Sequence, residues 1–104
     1  MIHITITNTP STQTVEIIGH SDKGKEPCAR VTSAFEMLAC LLYKDRDQLE
    51  QGDGYSFLIT NKTKENANQL TMGQAYFNQL QVHYQRTMKV ENREVENGEN
   101  DKEG

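Results

Sequence analysis

Isoleucine alternates with polar residues through the first seven positions, MIHITIT. This sets Ile2, Ile4 and Ile6 on one side and His3, Thr5 and Thr7 on the other. A period of two is the mark of a half-buried strand. Asn8-Thr9-Pro10-Ser11 has the composition of a turn. Alternation resumes over residues 13–20, QTVEIIGH, with Val15 and Ile17 facing one way and Glu16, Ile18 and His20 the other. The short connection predicts an antiparallel hairpin.

Residues 21–26, SDKGKE, form a polar loop with Gly24 as the expected hinge. The period then changes. Pro27 suits the first turn of a helix, where its missing N–H costs nothing. Beyond it Val31, Phe35, Leu38, Leu42 and Leu49 recur at helical spacing. A second stripe of Ala34, Met37 and Leu41 widens the apolar face, so this helix is expected to pack on the sheet and on a further surface. Gly52-Asp53-Gly54 reads as its end. Residues 55–60, YSFLIT, predict a third strand. A second helix begins near Lys64 or Glu65, with Leu70, Gly73, Phe77, Leu80 and Tyr84 on one stripe and Gly73 allowing close backbone approach. Residues 87–95, TMKVENREV, predict the last strand. The order ββαβαβ predicts a two-layer α+β (α/β) fold, a mixed four-stranded sheet with two helices mainly on one face. At 104 residues the chain is expected to be one domain over residues 1–95, followed by an acidic disordered tail over 96–104.

Charge sharpens the picture. Residues 91–104 carry six acids and two bases, whereas residues 1–90 carry nine of each, so the net charge of -4 belongs to the tail. A neutral body has no basic excess to neutralise phosphates, which argues against a nucleic-acid partner. No run approaches the roughly 20 apolar residues that span a bilayer, so no membrane association is expected. Cys28 and Cys40 are twelve apart, with no CxxC and no clustered His or Asp, so no metal site and no cofactor are expected. With no signal peptide over residues 1–10, a cytoplasmic protein with reduced thiols is the reading, although two cysteines allow a disulfide.

The candidate chemistry lies between Gly19 and Leu42. His20 and Cys28 stand at the two ends of the polar loop, with the cysteine on the first turn of a helix. A free thiol with a pKa near 8.5 is only about 3% ionised at pH 7. The orphan N–H groups and positive dipole end of a helix start favour the thiolate. Lys23 and Lys25 add to this, and Asp22 and Glu26 oppose them. His20 can pair with the thiolate and then protonate a leaving amine, while first-turn N–H groups can hold an oxyanion. Cys40, among Leu38, Leu41 and Leu42, is expected to be a core thiol. His83 falls in the last turn of helix two, where a cation suits the dipole. His3 sits on the polar face of strand one, and Met72, Tyr76 and Tyr84 read as core or dimer contacts.

Gly19-His20, a Gly-containing polar loop, and then Cys28-Ala29-Arg30-Val31-Thr32 heading an apolar helix resemble the ribosomal-processing cysteine protease (Prp) family over roughly residues 1–95. The resemblance implies a small homodimeric α/β protease that removes a short N-terminal extension from a ribosomal protein. It implies His20 as base, Cys28 as nucleophile, Gly19 before the histidine, and Thr32 where the family has serine. Two departures stand out. The loop is about four residues shorter than the family's, and its Gly-x-Asp-aliphatic-aliphatic-Cys run appears here as Gly24-Lys25-Glu26-Pro27-Cys28, leaving Glu26 or Asp22 to replace the aspartate. A divergent or phage-encoded member, cutting a capsid or scaffold protein, fits as well as a ribosomal one. The alternative is a non-catalytic dimeric binding module on the same scaffold.

Overall fold

Ile2, Ile4 and Ile6 are buried and the residues between them are not, as their alternation predicts. The computed structural model describes residues 1–96. Its elements run β1 (Ile2–Asn8), β2 (Thr12–Ile18), α1 (Glu26–Leu41), β3 (Arg46–Gly52), β4 (Tyr55–Asn61), α2 (Ala67–His83) and β5 (Met88–Glu94). β1 and β2 form the expected antiparallel hairpin, β4 pairs antiparallel with β2, and β5 runs parallel to β1. The sheet order is β3-β4-β2-β1-β5.

The fold is α+β with a mixed sheet, as expected, but the sheet has five strands where four were predicted. The missed strand is β3. Every one of its residues is exposed, so it carries no alternation to read. Leu49 lies two helical turns beyond Leu42 and so mimics the stripe of α1, which in fact ends at Leu41. Asp53-Gly54, read above as a helix stop, is the two-residue connection of the β3–β4 hairpin, with Gly54 at φ 71°. An Asp-Gly pair is a strong hairpin signal in its own right. As an outer strand rich in charge, β3 presents a poor template for further pairing.

One face of the sheet meets both helices. Val15, Ile17, Leu58 and Met88 from the strands enclose Phe35 of α1 and Phe77 of α2 in a single core. The two phenylalanines are almost fully buried and are its largest side chains. α1 and α2 meet where Gly73 faces Leu38: a Cβ on Gly73 would lie 3.1 Å from Leu38 Cδ1, so what the glycine admits is the leucine side chain against the α2 backbone.

Two expectations about α1 need correction. Met37 and Leu41 do not widen the buried face; they are exposed and, with Met72 and Tyr76 of α2, line an apolar groove between the helices. Cys40 is exposed rather than a core thiol. Two positions on from buried Leu38 is a little more than half a turn around the helix, which points Cys40 away from the sheet. Among the described residues no helix is long and apolar enough to cross a membrane. The acidic tail expected over 96–104 lies, from residue 97 on, outside the described residues.

β2 stops two residues before its predicted end. Gly19 adopts φ 104°, a left-handed conformation, and turns His20 out of the strand. A Cβ at Gly19 would lie 2.2 Å from the Met1 carbonyl oxygen, so the backbone of Met1 and Ile2 excludes any side chain. Gly19→Ala is expected to lower stability by about 1–3 kcal/mol through φ strain and this clash. Urea unfolding of the two proteins checks it.

Candidate functional site

Pro27 lies in the opening turn of α1, which places Cys28 on that turn, as the sequence predicts. No side chain caps this end: Lys25, the N-cap residue, makes no side-chain cap hydrogen bond. Ala29 N–H already donates to the Lys25 carbonyl at 3.0 Å, and Pro27 has no N–H. The N–H groups of Glu26 and Cys28 are the donors this turn leaves free among the described residues, and that of Cys28 is on the thiol's own residue.

Cys28 is half-buried against the core. Its sulfur accepts a hydrogen bond from the Ser21 backbone N–H at 3.1 Å. The bond fixes the direction in which the sulfur points. His20 is exposed and lines the same hollow of about 300 Å3, together with Gly19, Cys28, Thr32 and the β3–β4 turn. Ile2, Ile17 and Val31 contribute apolar lining. Histidine and cysteine share the hollow without being hydrogen-bonded to one another. His20 Nε2 instead faces Asp53 Oδ1 at 3.7 Å.

Asp53 and Gly54 are the residues that sequence reasoning missed. The hairpin turn carries Asp53 to the imidazole, and Gly19 N–H donates to the Gly54 carbonyl at 2.9 Å, tying that turn to the end of β2. A Cβ at Gly54 would come within 2.7 Å of His20 Nε2, so the glycine leaves room for the ring. Neither Asp22 nor Glu26, the carboxylates singled out from sequence, lines this hollow. Asp22 accepts a hydrogen bond from Thr87 Oγ1 at 3.0 Å, which, with its own backbone N–H, holds its pKa below the usual carboxylate value. Glu26 accepts from Tyr84 OH at 2.7 Å and from Arg30 Nε at 3.1 Å, and both lower its pKa. Burial raises the Tyr84 phenol, and the bond to Glu26 adds to this. Gly24, at the middle of the loop, has φ 99° and nothing within 4 Å of where a Cβ would sit.

Thr87 is the hidden support of the loop. It is buried just before β5, and its hydroxyl meets Ser21 Oγ at 3.0 Å as well as Asp22. Ser21 is thereby fixed where its N–H reaches the sulfur. A buried threonine between a helix and a strand gives no local sequence signal for such a role. His3 lies exposed on β1, and His83 occupies the last turn of α2 with its ring edge-on to Tyr84. Met72 and Tyr76 are exposed, whereas Tyr84 packs on the core. Among the described residues no three His, Cys, Asp or Glu side chains converge to hold a metal ion.

No family model matches this sequence, and no curated protein matches it. Solved structures do. The ribosomal-processing protease Prp from S. aureus, in complex with a covalently linked product peptide, superposes with a TM-score of 0.76 at 16% identity. That match covers 89% of this chain and 100% of the other. The chain has a Prp-like fold. S. aureus Prp in complex with a substrate peptide matches with a TM-score of 0.60 at 16% identity, again over 89% of this chain and 100% of the other. SMU.848 from Streptococcus mutans matches at 0.61 and 15%, covering 91% of this chain and 96% of its own. At such identities the likeness is one of fold, and the Prp-like frame leaves the chemistry to be argued from the residues.

The Thr87 anchor makes a pH-dependent prediction. Asp22 has a folded pKa below its ordinary value of 3.8, so its stabilising contribution is complete above that value and is lost as pH falls through the folded pKa. Thr87→Val removes the largest cause of the depression. Its stability deficit against wild type, read as a shift in urea midpoint, is expected to be full at pH 7 and to narrow below about pH 4. It does not vanish, because the bond to Ser21 is lost at every pH.

Proposed function

We propose that the protein is a cofactor-independent cysteine endopeptidase that cuts an extended peptide segment, with Cys28 as nucleophile and His20 as general base. The observation that carries the reading is the Ser21 N–H aimed at Cys28 Sγ on the first turn of α1, with His20 in the same hollow. A Prp-like fold agrees with it.

In the reaction, His20 swings from Asp53 toward the sulfur and takes the thiol proton. The thiolate attacks the scissile carbonyl carbon, and the electron pair of the C=O bond moves to oxygen, where Cys28 N–H can stabilise it. Collapse of this intermediate breaks the C–N bond, and the imidazolium gives its proton to the departing amine. Water then attacks the thioester as His20 accepts a proton, releasing a carboxylic acid and restoring the thiol. Thr32, one turn along α1, lines the hollow beside the nucleophile. Gly24 gives the loop over residues 21–26 freedom to close over bound peptide.

The substrate we propose is the N-terminal extension of a ribosomal protein, or a phage capsid or scaffold protein, cut in the cytoplasm by a homodimer. The Prp complexes support the peptide as ligand. The apolar groove of Met37, Leu41, Met72 and Tyr76 supports a second copy of the chain as its cover. Residues 1–95 act as one domain in this reading, with the acidic tail outside it. A second reading, a binding module without catalysis, draws on His20 facing Asp53 rather than the sulfur.

The deciding experiment uses a Cys40→Ser background, because exposed Cys40 would otherwise react alongside Cys28. Cys28→Ala is expected to abolish cleavage of candidate ribosomal and capsid substrates while leaving the circular dichroism spectrum unchanged. His20→Ala should slow iodoacetamide labelling of Cys28 at pH 7 by about tenfold, as expected when a base is lost. Cleavage retained by Cys28→Ala would end the peptidase reading. Labelling indifferent to His20, with no substrate cut, would leave the binding module.

A further inference from the structure

A second hollow, of about 570 Å3, lies on the other side of the same loop and has no part in the chemistry above. Lys23, Lys25 and Arg86 line it, against Glu26 as the single carboxylate in its wall. None of these three cations forms an ion pair among the described residues, whereas Arg30 and Arg93 each do. Glu26 is engaged by Arg30 and Tyr84, and nearby Asp22 by Thr87. The start of α1 and the end of α2 both border the hollow, and their opposed dipoles offset each other. The side chains therefore set its sign, and it is positive. This is unexpected on a body whose acids and bases balance.

Position gives the charge a use. Pro27 lines this hollow and Cys28 lines the first, so consecutive residues of α1 border the two. An extended peptide advances roughly 3.3 Å per residue, so a bound segment that runs on past the first turn of α1 carries its further side chains toward the second hollow. We infer that the second hollow is a subsite for an acidic stretch of the bound peptide, taking Asp or Glu on one side of the bond to be cut. The inference rests on the peptidase reading for its direction and on the charge alone for its chemistry. Arg86 offers a planar fork that matches a carboxylate, and the two lysines add mobile point charges. Three cations on one loop and one helix exit are too short a track for a nucleic-acid backbone.

The chain has no tryptophan, so a Trp-tagged hexaglutamate can be followed by its own fluorescence anisotropy. Wild type at low ionic strength is expected to bind this peptide saturably and not to bind Trp-tagged hexalysine. A Lys23→Glu, Lys25→Glu, Arg86→Glu triple variant should bind hexaglutamate at least about tenfold more weakly, and Lys44→Glu, which changes a lysine outside the hollow, should bind it unchanged. Absent binding, or equal binding by the triple variant, overturns the inference. Hexathymidylate displacing hexaglutamate at equal concentration also overturns it, in favour of a nucleic-acid site. Charge-dependent binding without cleavage of any peptide would sink the peptidase reading and leave the acidic subsite standing. Cleavage with no preference for acidic neighbours, and no hexaglutamate binding, would do the reverse.

Discussion

The site depends on the way the chain leaves β2. Gly19 is pressed against the Met1 carbonyl, holds φ 104°, and donates its N–H to Gly54 at 2.9 Å. That single glycine ends the strand, turns His20 outward and fastens the β3–β4 turn beside it. A side chain at Gly19 would have to displace backbone rather than another side chain, and a close-packed interior gives way to that at a high cost. The hydrogen bond then decides which carboxylate meets the imidazole. Asp53 is more than thirty positions from His20 in sequence, yet it is closer to the ring than the loop acids beside it.

Most of the frame was legible because burial imposes a period. The isoleucines of β1 and the Val31, Phe35, Leu38 and Leu42 stripe of α1 each face a single core, so each repeats at the spacing of its own element. β3 had no such constraint. Its residues are exposed throughout, and the one apolar residue within it, Leu49, fell by chance on the helical repeat. Cys40 misled for the opposite reason: its neighbours in sequence are apolar, but sequence neighbours on a helix point in different directions. Of the site, Cys28 and His20 were legible as a pair flanking a loop before a helix. Thr87 and Asp53 were not, because each acts through a tertiary contact with a residue that no periodicity relates to it.

Thiol and imidazole are held by different parts of the molecule. Cys28 is on the first turn of α1 and takes its hydrogen bond from Ser21, which Thr87 steadies from the lead into β5. His20 is steered by a turn on the opposite edge of the sheet, at the start of β4. The sulfur is half-buried and the ring exposed. If the two act together, the ring is the partner with room to move, because its contact with Asp53 is a long one between exposed groups. Such a pair contributes little energy and can be exchanged for another at small cost.

The shortened loop fits this division. Ser21 and Asp22 are fastened at one end by Thr87, and Glu26 at the other by Tyr84 and Arg30. Between the two fastenings lie Lys23, whose N–H donates to Ser21 Oγ at 3.1 Å, Gly24, and Lys25, whose carbonyl accepts from Ala29 N–H at 3.0 Å; nothing lies within 4 Å of where a Cβ on Gly24 would sit. Any closure of the loop therefore pivots at Gly24, the middle one of these three residues. Two of them are cations of the second hollow. A loop this short, fastened at both ends, cannot swing as a long lid does. Gly24 and the lysines on either side of it lie three to five residues before the thiol.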